Sequence, residues 1–529
     1  MAPRIDKRQI IKNVGSSWFS LGINVALGLV LSPFIVHRLG DTAFGIWVLI
    51  LSITGYYGLF DLGIGSSVIR FVSKYTATGE HEELAKVINT SLFTYSCIGV
   101  LCFTVTVVVA AQMGRMFHVP PEFVSTARWL LIMVGAAVAL GFPFGIFGGF
   151  LEGLQRFYIL NWTNIAANLL RAGLIFISLK HGGGILAVAL ITVTLPLLAA
   201  IARGFFALSY CPVPFAFKYV DRATFRRIAN YSGITFMIMI AAQLKFKTDE
   251  IVIGSFMSLA AITYFNVGAR IVDYAGMVVR TLSQVFVPMT SQSEARGERG
   301  RLRKIFLVGN RVCAMTIFPI CAVLVILGKS IIEVWMGKKY VDASYPVLVI
   351  MILCCTLWWA QGASGRILLG LSKHGTWAIV TVSEGVANLI LSIILVRPYG
   401  IIGDALGTAI PLTCSMLFFM PHHLCKKLDV KLRTFLRESY TLPFLLCLPL
   451  IAALLLMRRW FVPHNYRQLG VQMLIAGTVY GLGVLWSVLT NHVLRVSDKA
   501  LLGSSTPVLR MVPVPEEEEE KTYERPQDV

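Results

Sequence analysis

The chain has 529 residues, of which 56% are hydrophobic and 14% charged, and its mean hydropathy is +0.72. A water-soluble fold cannot bury so large an apolar share, so the composition excludes a soluble enzyme or binding module and points to an all-α polytopic membrane protein. The formal charge of +19 does not indicate nucleic acid: with the N-terminus inside, about two-thirds of the Lys and Arg residues fall on the cytoplasmic side, which assigns the charge to topology.

About 20 apolar residues cross a bilayer. The sequence predicts about fourteen such segments, near 14–36, 44–66, 89–111, 126–150, 157–179, 184–209, 230–255, 262–287, 304–327, 345–369, 376–396, 400–421, 440–457 and 470–491. Arg4, Lys7, Arg8 and Lys12 lead directly into the first span and read as a cytoplasmic start without a cleavable signal. An even number of spans returns the C-terminus to the same side. The ten cysteines include no CxxC and no extracellular framework, which leaves core packing as their role. His422 and His423 are adjacent without ligand spacing elsewhere, so no metal site is expected.

In chain order, the first span carries a weak polar face of Ser17, Ser20 and Asn24, and Gly40-Asp41 makes a short outer turn. Asp61 lies in the second span. The fifth span places Asn161, Asn164, Asn168 and Arg171 on one helical face. The seventh carries Lys245, Lys247, Asp249 and Glu250. The eighth carries a stripe of Asn266, Arg270, Asp273, Met277, Arg280 and Gln284, spaced by threes and fours. A charge at the bilayer centre costs roughly 2.5–3.5 kcal/mol, so such residues face a bundle interior or a wet cavity. Two readings stay open. The stripe lines a path for an anionic solute, or Lys245–Asp249, Lys247–Glu250 and Arg270–Asp273 neutralise each other on their own helices. Arg280 has no such local partner.

The eleventh span repeats the spacing with Thr381, Glu384, Asn388 and Ser392, at a depth where Glu384 could pair with Arg280. The twelfth leads into the basic segment HHLCKKLDVKLRTFLRE, a topology determinant or anionic-lipid contact. Beyond Val493 the tail, with its five-Glu run between prolines, reads as disordered.

Two halves of the chain match. ATGEHEEL at Ala77–Leu84 resembles ARGERGRL at Ala295–Leu302, an offset of 218, and AFGIW at Ala43 falls on AITYF at Ala261. FLEGLQRFYIL resembles ILLGLSKHGTWAI, GGGILAVAL resembles YGIIGDALG, and Asn168 falls on Asn388. Such ordered matches indicate duplication. About six spans separate equivalent points, so both halves enter the membrane in the same direction, related by a pseudo-two-fold axis along its normal. The expected organisation is a six-helix lobe at 1–218, a second at 219–425, a basic linker with helices 13 and 14 at 426–493, and an acidic cytoplasmic tail at 494–529.

The chain resembles the polysaccharide transporter family of the MATE-like multidrug/oligosaccharidyl-lipid/polysaccharide flippase superfamily. The residues that carry this are LGDTAFGIWVLILSITGYYGLFDLGIGSSVIRFVSKY from Leu39, TDEIVIGSFMSLAAITYFNVGARI from Thr248 and NLILSIILVRPYGIIGDALGTAI from Asn388. The resemblance implies a MATE-like fold and a bacterial inner-membrane flippase for polyprenyl-pyrophosphate-linked oligosaccharide, as in O-antigen, capsule or exopolysaccharide synthesis. In related lipid II flippases, charged residues of the eighth span belong to the substrate cavity, and Arg270 and Asp273 occupy such positions. Those relatives carry arginines in the first span; this chain has none between Val14 and Val36, which argues against lipid II.

The expected substrate-binding residues are therefore Arg171, Lys245, Lys247, Asn266, Arg270, Asp273, Arg280 and Gln284, with Tyr264 and Tyr274 as candidates for stacking on sugars. Asp61, Asp273 and Glu384 are candidates for coupling to a proton or sodium gradient, with membrane potential as a further driving force. Membrane lipids, a polysaccharide polymerase and a chain-length regulator are the expected partners, with no cofactor. The alternatives are a multidrug or cation exporter of the same superfamily, a membrane-embedded glycosyltransferase or ligase, for which the short outer loops offer no acid pair, and an assembly scaffold.

Overall fold

The computed structural model describes residues 7–229, 243, 248–371, 375–490 and 493. Lys245, Lys247 and the acidic tail lie outside the described residues. Among those described there are seventeen α-helices and no strand. The first bundle comprises α1 (Lys7–Leu39), α2 (Asp41–Gly55), α3 (Ile64–Thr78), α4 (His81–Met116), α5 (Pro121–Gly153), α6 (Phe157–Lys180) and α7 (Ile185–Tyr210). The second comprises α8 (Asp249–Phe256), α9 (Leu259–Ser283), α10 (Phe286–Ala295), α11 (Arg299–Met336), α12 (Val341–Ala360), α13 (Gly362–Gly370), α14 (Gly375–Cys414) and α15 (Met420–Leu428). Two more helices, α16 (Leu432–Trp460) and α17 (Tyr466–Leu489), pack on α11 and on each other.

Eleven helical stretches among the described residues are long and apolar enough to cross a membrane. The expected fourteen is not reached for physical reasons. Residues 375–428 form one continuous helical stretch, yet Gly400 breaks it at φ 59° and ψ −139°. Ser392 then donates to the carbonyl of Asp404 at 3.3 Å, a contact that twelve residues of straight helix, about 18 Å long, would forbid. The stretch is a helical hairpin. In addition, α9 is diluted by Arg270, Asp273 and Arg280, and most of 230–255 lies outside the described residues.

The duplication is visible in the backbone. Left-handed glycines recur 218 residues apart, Gly79 with Gly297 and Gly182 with Gly400. At the first pair the whole turn repeats. Glu80 N–H donates to Tyr75 O and His81 N–H to Gly79 O. Glu298 N–H likewise donates to Ser293 O and Arg299 N–H to Gly297 O. Both equivalent spans are interrupted: α2 and α3 are separated by the 3-10 turn Tyr56–Asp61, and α9 and α10 by Gln284 and Val285. Irregular backbone at such depth survives in a membrane only where protein or a wet cavity surrounds it.

The chain stays attached to the first bundle after α7. Asn89 clasps the backbone of Pro214 and Ala216, and Arg227 pairs with Glu83 at 2.9 Å. At the other end Arg311, 2% exposed, bonds the Glu438 carboxylate at 3.0 Å and the Val493 carbonyl at 2.7 Å. That buried cation ties α16 and the end of α17 to α11.

Candidate functional site

The two bundles are sealed together where α1 turns into α2. Asp41 belongs to the first bundle, and its carboxylate accepts from three side chains of the second. Lys339 Nζ donates at 2.9 Å, Tyr340 hydroxyl at 2.5 Å and Tyr264 hydroxyl at 3.3 Å. Thr263 donates to the Asp41 carbonyl at 2.7 Å, and Trp335 Nε1 to the Leu29 carbonyl at 2.7 Å. Gly45 lies directly on the carbonyl of Leu259, where a Cβ has no room, so α2 and α9 pack backbone to backbone. Tyr274 presses its hydroxyl on Gly28 of α1. Tyr264 and Tyr274, expected as sugar platforms, are engaged in joining the bundles.

Just below this seal, Asn266 and Arg270 line a crevice with Ser32, Phe44 and Trp335, too narrow for more than a water molecule. Arg270 is half-buried and Asp273 exposed. The pair does not form an ion bridge, and neither side chain has a hydrogen-bond or ion-pair partner among the described residues. Arg280 reaches back along its own helix to the Asp273 carbonyl at 3.2 Å and does not meet Glu384. Gln284 is exposed at the break that ends α9. The stripe on the eighth span thus carries two arginines and one carboxylate, none of which forms an ion pair among the described residues.

Arg366 was not anticipated. It sits on α13, half-buried, within electrostatic reach of Arg280 and with no carboxylate among the described residues acting on it. The only signal for it in the sequence is a lone cation inside the tenth apolar segment.

On the fifth span the asparagines separate. Asn161 donates to Ser16 at 2.8 Å and Asn168 to Asn24 at 2.7 Å, so the polar face of α1 is matched to α6. Asn164 instead accepts from Arg203 of α7, which also donates to Thr163 at 3.0 Å and lies within electrostatic reach of Glu152. Arg171 is half-buried with no polar partner among the described residues. α6 packs on α1 and α7, whereas α9 packs on α2, α11 and α12. Arg171 and Arg270 therefore stand on different bundles.

The carboxylates occupy other places. Asp61, at the break in the second span, accepts from the Tyr95 hydroxyl and from the Gly65 amide at 3.3 Å. In the second bundle Asp249 accepts from Thr408 at 3.1 Å. Thr408 also contacts the Asn388 amide oxygen at 3.2 Å, which accepts from Ser392 at 2.9 Å. Asp404, absent from the expected site and fully buried, lies within electrostatic reach of Asp249 and Glu250. Glu384 is 6% exposed on the same helical hairpin. Three spans thus converge on a buried acidic network.

With this geometry in hand, comparison places the chain among known proteins. The family described as polysaccharide biosynthesis protein matches residues 10–294. A putative O-antigen transporter of Shigella flexneri is 21% identical over 411 residues, covering 76% of this chain and 94% of that protein. The lipid II flippase MurJ in an inward closed conformation superposes with a TM-score of 0.71 at 18% identity, over 92% of this chain and all of that one. An inward-facing multidrug resistance MATE transporter gives 0.65 at 14% identity, over 77% of this chain and 94% of that one. The architecture is therefore MATE-like.

Proposed function

The chain belongs to the polysaccharide biosynthesis protein family, and on that premise we propose the following mechanism. The protein is a flippase that carries polyprenyl-pyrophosphate-linked oligosaccharide repeat units from the cytoplasmic to the outer face of the membrane by alternating access. One observation carries the anionic substrate: Arg171, Arg270 and Arg366 are half-buried at membrane depth and form no ion pair with any described residue. At roughly 2.5–3.5 kcal/mol each, cations held unpaired are better explained by an incoming anion than by packing. A pyrophosphate offers charge-assisted bonds to such guanidinium groups. Asn266, Gln284 and the exposed Asn164 offer amides to sugar hydroxyls. A cation exporter would line its cleft with carboxylates; here Asp273 is exposed on the stripe, and Asp249, Glu250, Glu384 and Asp404 are buried.

The Asp41 latch supports an order of events. By the positive-inside distribution it lies at the outer end, so the bundles meet there and substrate enters from the cytoplasm. Outward opening requires Lys339, Tyr340 and Tyr264 to leave Asp41. The network of Asp249, Glu250 and Asp404, with Asn388 and Thr408, is the place for a coupling proton or sodium ion, and Glu384, buried on the same hairpin, is a further candidate. Asp61 with Tyr95 is a second candidate in the first bundle, and the exposed Asp273 a third. Lys245 and Lys247 remain candidates for the substrate wall.

The protein is read as a transporter rather than an enzyme, in a bacterial inner membrane with both termini cytoplasmic. Its lobes are taken at 1–218 and 219–425, with a polymerase and a chain-length regulator as neighbours in polysaccharide assembly. The test is the sidedness of the lipid-linked unit in a strain lacking the protein. Accumulation on the cytoplasmic face, cleared by the wild-type chain, supports the reading. Arrival of the unit on the outer face without the protein sinks it and favours the ligase or scaffold alternatives.

A further inference from the structure

Arg280 and Arg366 come from two helices that pack side by side. Gly362 makes that approach close: a Cβ there would lie 3.4 Å from Val279 Cγ1 and 3.6 Å from Ser283 Cβ. Arg366 is four residues beyond Gly362 and so on the same face of α13, toward α9. Arg280 lies between Val279 and Ser283 on α9 and is braced against the Asp273 carbonyl at 3.2 Å. Both side chains are half-buried. Neither forms an ion pair with any described residue. Arg366 lies within electrostatic reach of Arg280; the two guanidinium groups repel each other, and among the described residues no carboxylate pairs with either to offset that repulsion.

We propose that Arg280 and Arg366 form a phosphate-oxyanion clamp, the site where the head group of the substrate is first held. The inference rests on the flippase reading above and deepens it. Two planar forks on adjacent helices suit a ligand with several acceptor oxygens and more than one negative charge, better than a neutral sugar or a single carboxylate. The clamp is distinct from Arg270, which lies ten residues earlier on α9, roughly 15 Å along its axis and next to the sealed end. On entry from the cytoplasm a head group meets Arg366 and Arg280 first. Arg270 takes it only deeper in the membrane.

The test is binding by the purified full chain in detergent, with undecaprenyl pyrophosphate, undecaprenyl phosphate and inorganic pyrophosphate as separate probes. Wild type is compared with Arg280→Gln, Arg366→Gln, Arg366→Lys and the double Gln variant. The expected result is a loss of about tenfold or more in affinity for the pyrophosphate lipid in each Gln variant. The double variant should lose less than the product of the singles, since both groups grip one ligand. Arg366→Lys should retain part of the affinity, and unchanged melting of the variants excludes misfolding. If inorganic pyrophosphate binds as tightly as the lipid, with the same arginine dependence, the clamp stands as a site for the free anion; tight binding of the lipid alone assigns it to the head group. Equal affinity in wild type and a folded Arg366→Gln overturns the proposal, as does failure of wild type to bind any probe. In either case the sidedness of the lipid-linked unit in cells still judges the flippase reading separately.

Discussion

The fifth and eleventh spans hold matching places in the repeat, yet they spend their polar residues differently. In the first bundle Asn161 and Asn168 join α6 to Ser16 and Asn24 of α1, and Asn164 is taken by Arg203. In the second, the counterpart of Asn164 is the buried acid Glu384, and Asn388 works through Thr408 toward Asp249. The same stripe has become a helix-to-helix fastening in one half and part of an acidic network in the other. Duplication supplies two copies of a scaffold, and divergence at a few interior positions assigns one to hold and the other to respond.

Removing Arg270 should separate the bundles most sharply. Arg270→Ala is expected to abolish clearance of the lipid-linked unit, while thermal unfolding in detergent is unchanged or higher. An unpaired cation worth roughly 2.5–3.5 kcal/mol of insertion cost has been deleted. A lower melting temperature would mean that Arg270 is structural after all.

Asp404→Asn should reduce transport into vesicles by roughly 5- to 150-fold, the span of an ordinary coupling free energy, and remove its dependence on an imposed proton or sodium gradient. Transport that still follows the gradient would return the acidic network to a packing role. In the first bundle the opposite balance is expected. Arg203→Ala leaves Asn164 and Thr163 without their donor and Glu152 without its nearby cation, and should cost roughly 1–3 kcal/mol of stability, with transport per folded molecule retained. The smallest effect belongs to the fastening itself. Asn168→Ala should cost about 0.6 kcal/mol, the mean for hydrogen bonds between membrane helices, and leave ion dependence untouched; a loss of coupling there would erase the distinction between the halves.

Much of the fold was legible in the sequence because two periodicities are written into it. Apolar length gives the spans, and the offset of 218 gives the two bundles and even their shared turns at Gly79 and Gly297. Helical spacing also put Asn266, Arg270 and Arg280 on one stripe. It could not say what each stripe meets, because partners across helices are set by packing rather than spacing. Hence Asn164 was grouped with its neighbours although Arg203 claims it. Tyr264 was assigned to sugars although Asp41 claims it, and Arg280 was matched with Glu384, which it does not reach. Arg366, Asp404 and Arg203 carried the same signal as Arg270, a charge inside an apolar segment. Each is the lone charge of its apolar segment and forms no stripe, so periodicity passes over them. Within 375–428 the sequence, with Pro398 and Gly400, marks the boundary between two spans, and the helical hairpin turns there at Gly400.

The anchor at Arg311 has a hydrodynamic consequence. By fixing α16 and α17 to α11, it gives the second bundle a wider footprint in the lipid than the first. Rotational drag in a bilayer grows with cross-sectional area. When the two bodies rock against each other, the smaller one should therefore do most of the turning relative to the surrounding membrane. On the proposed alternating-access cycle the second bundle would be the stator, with the acidic network inside it nearly still while the first bundle turns.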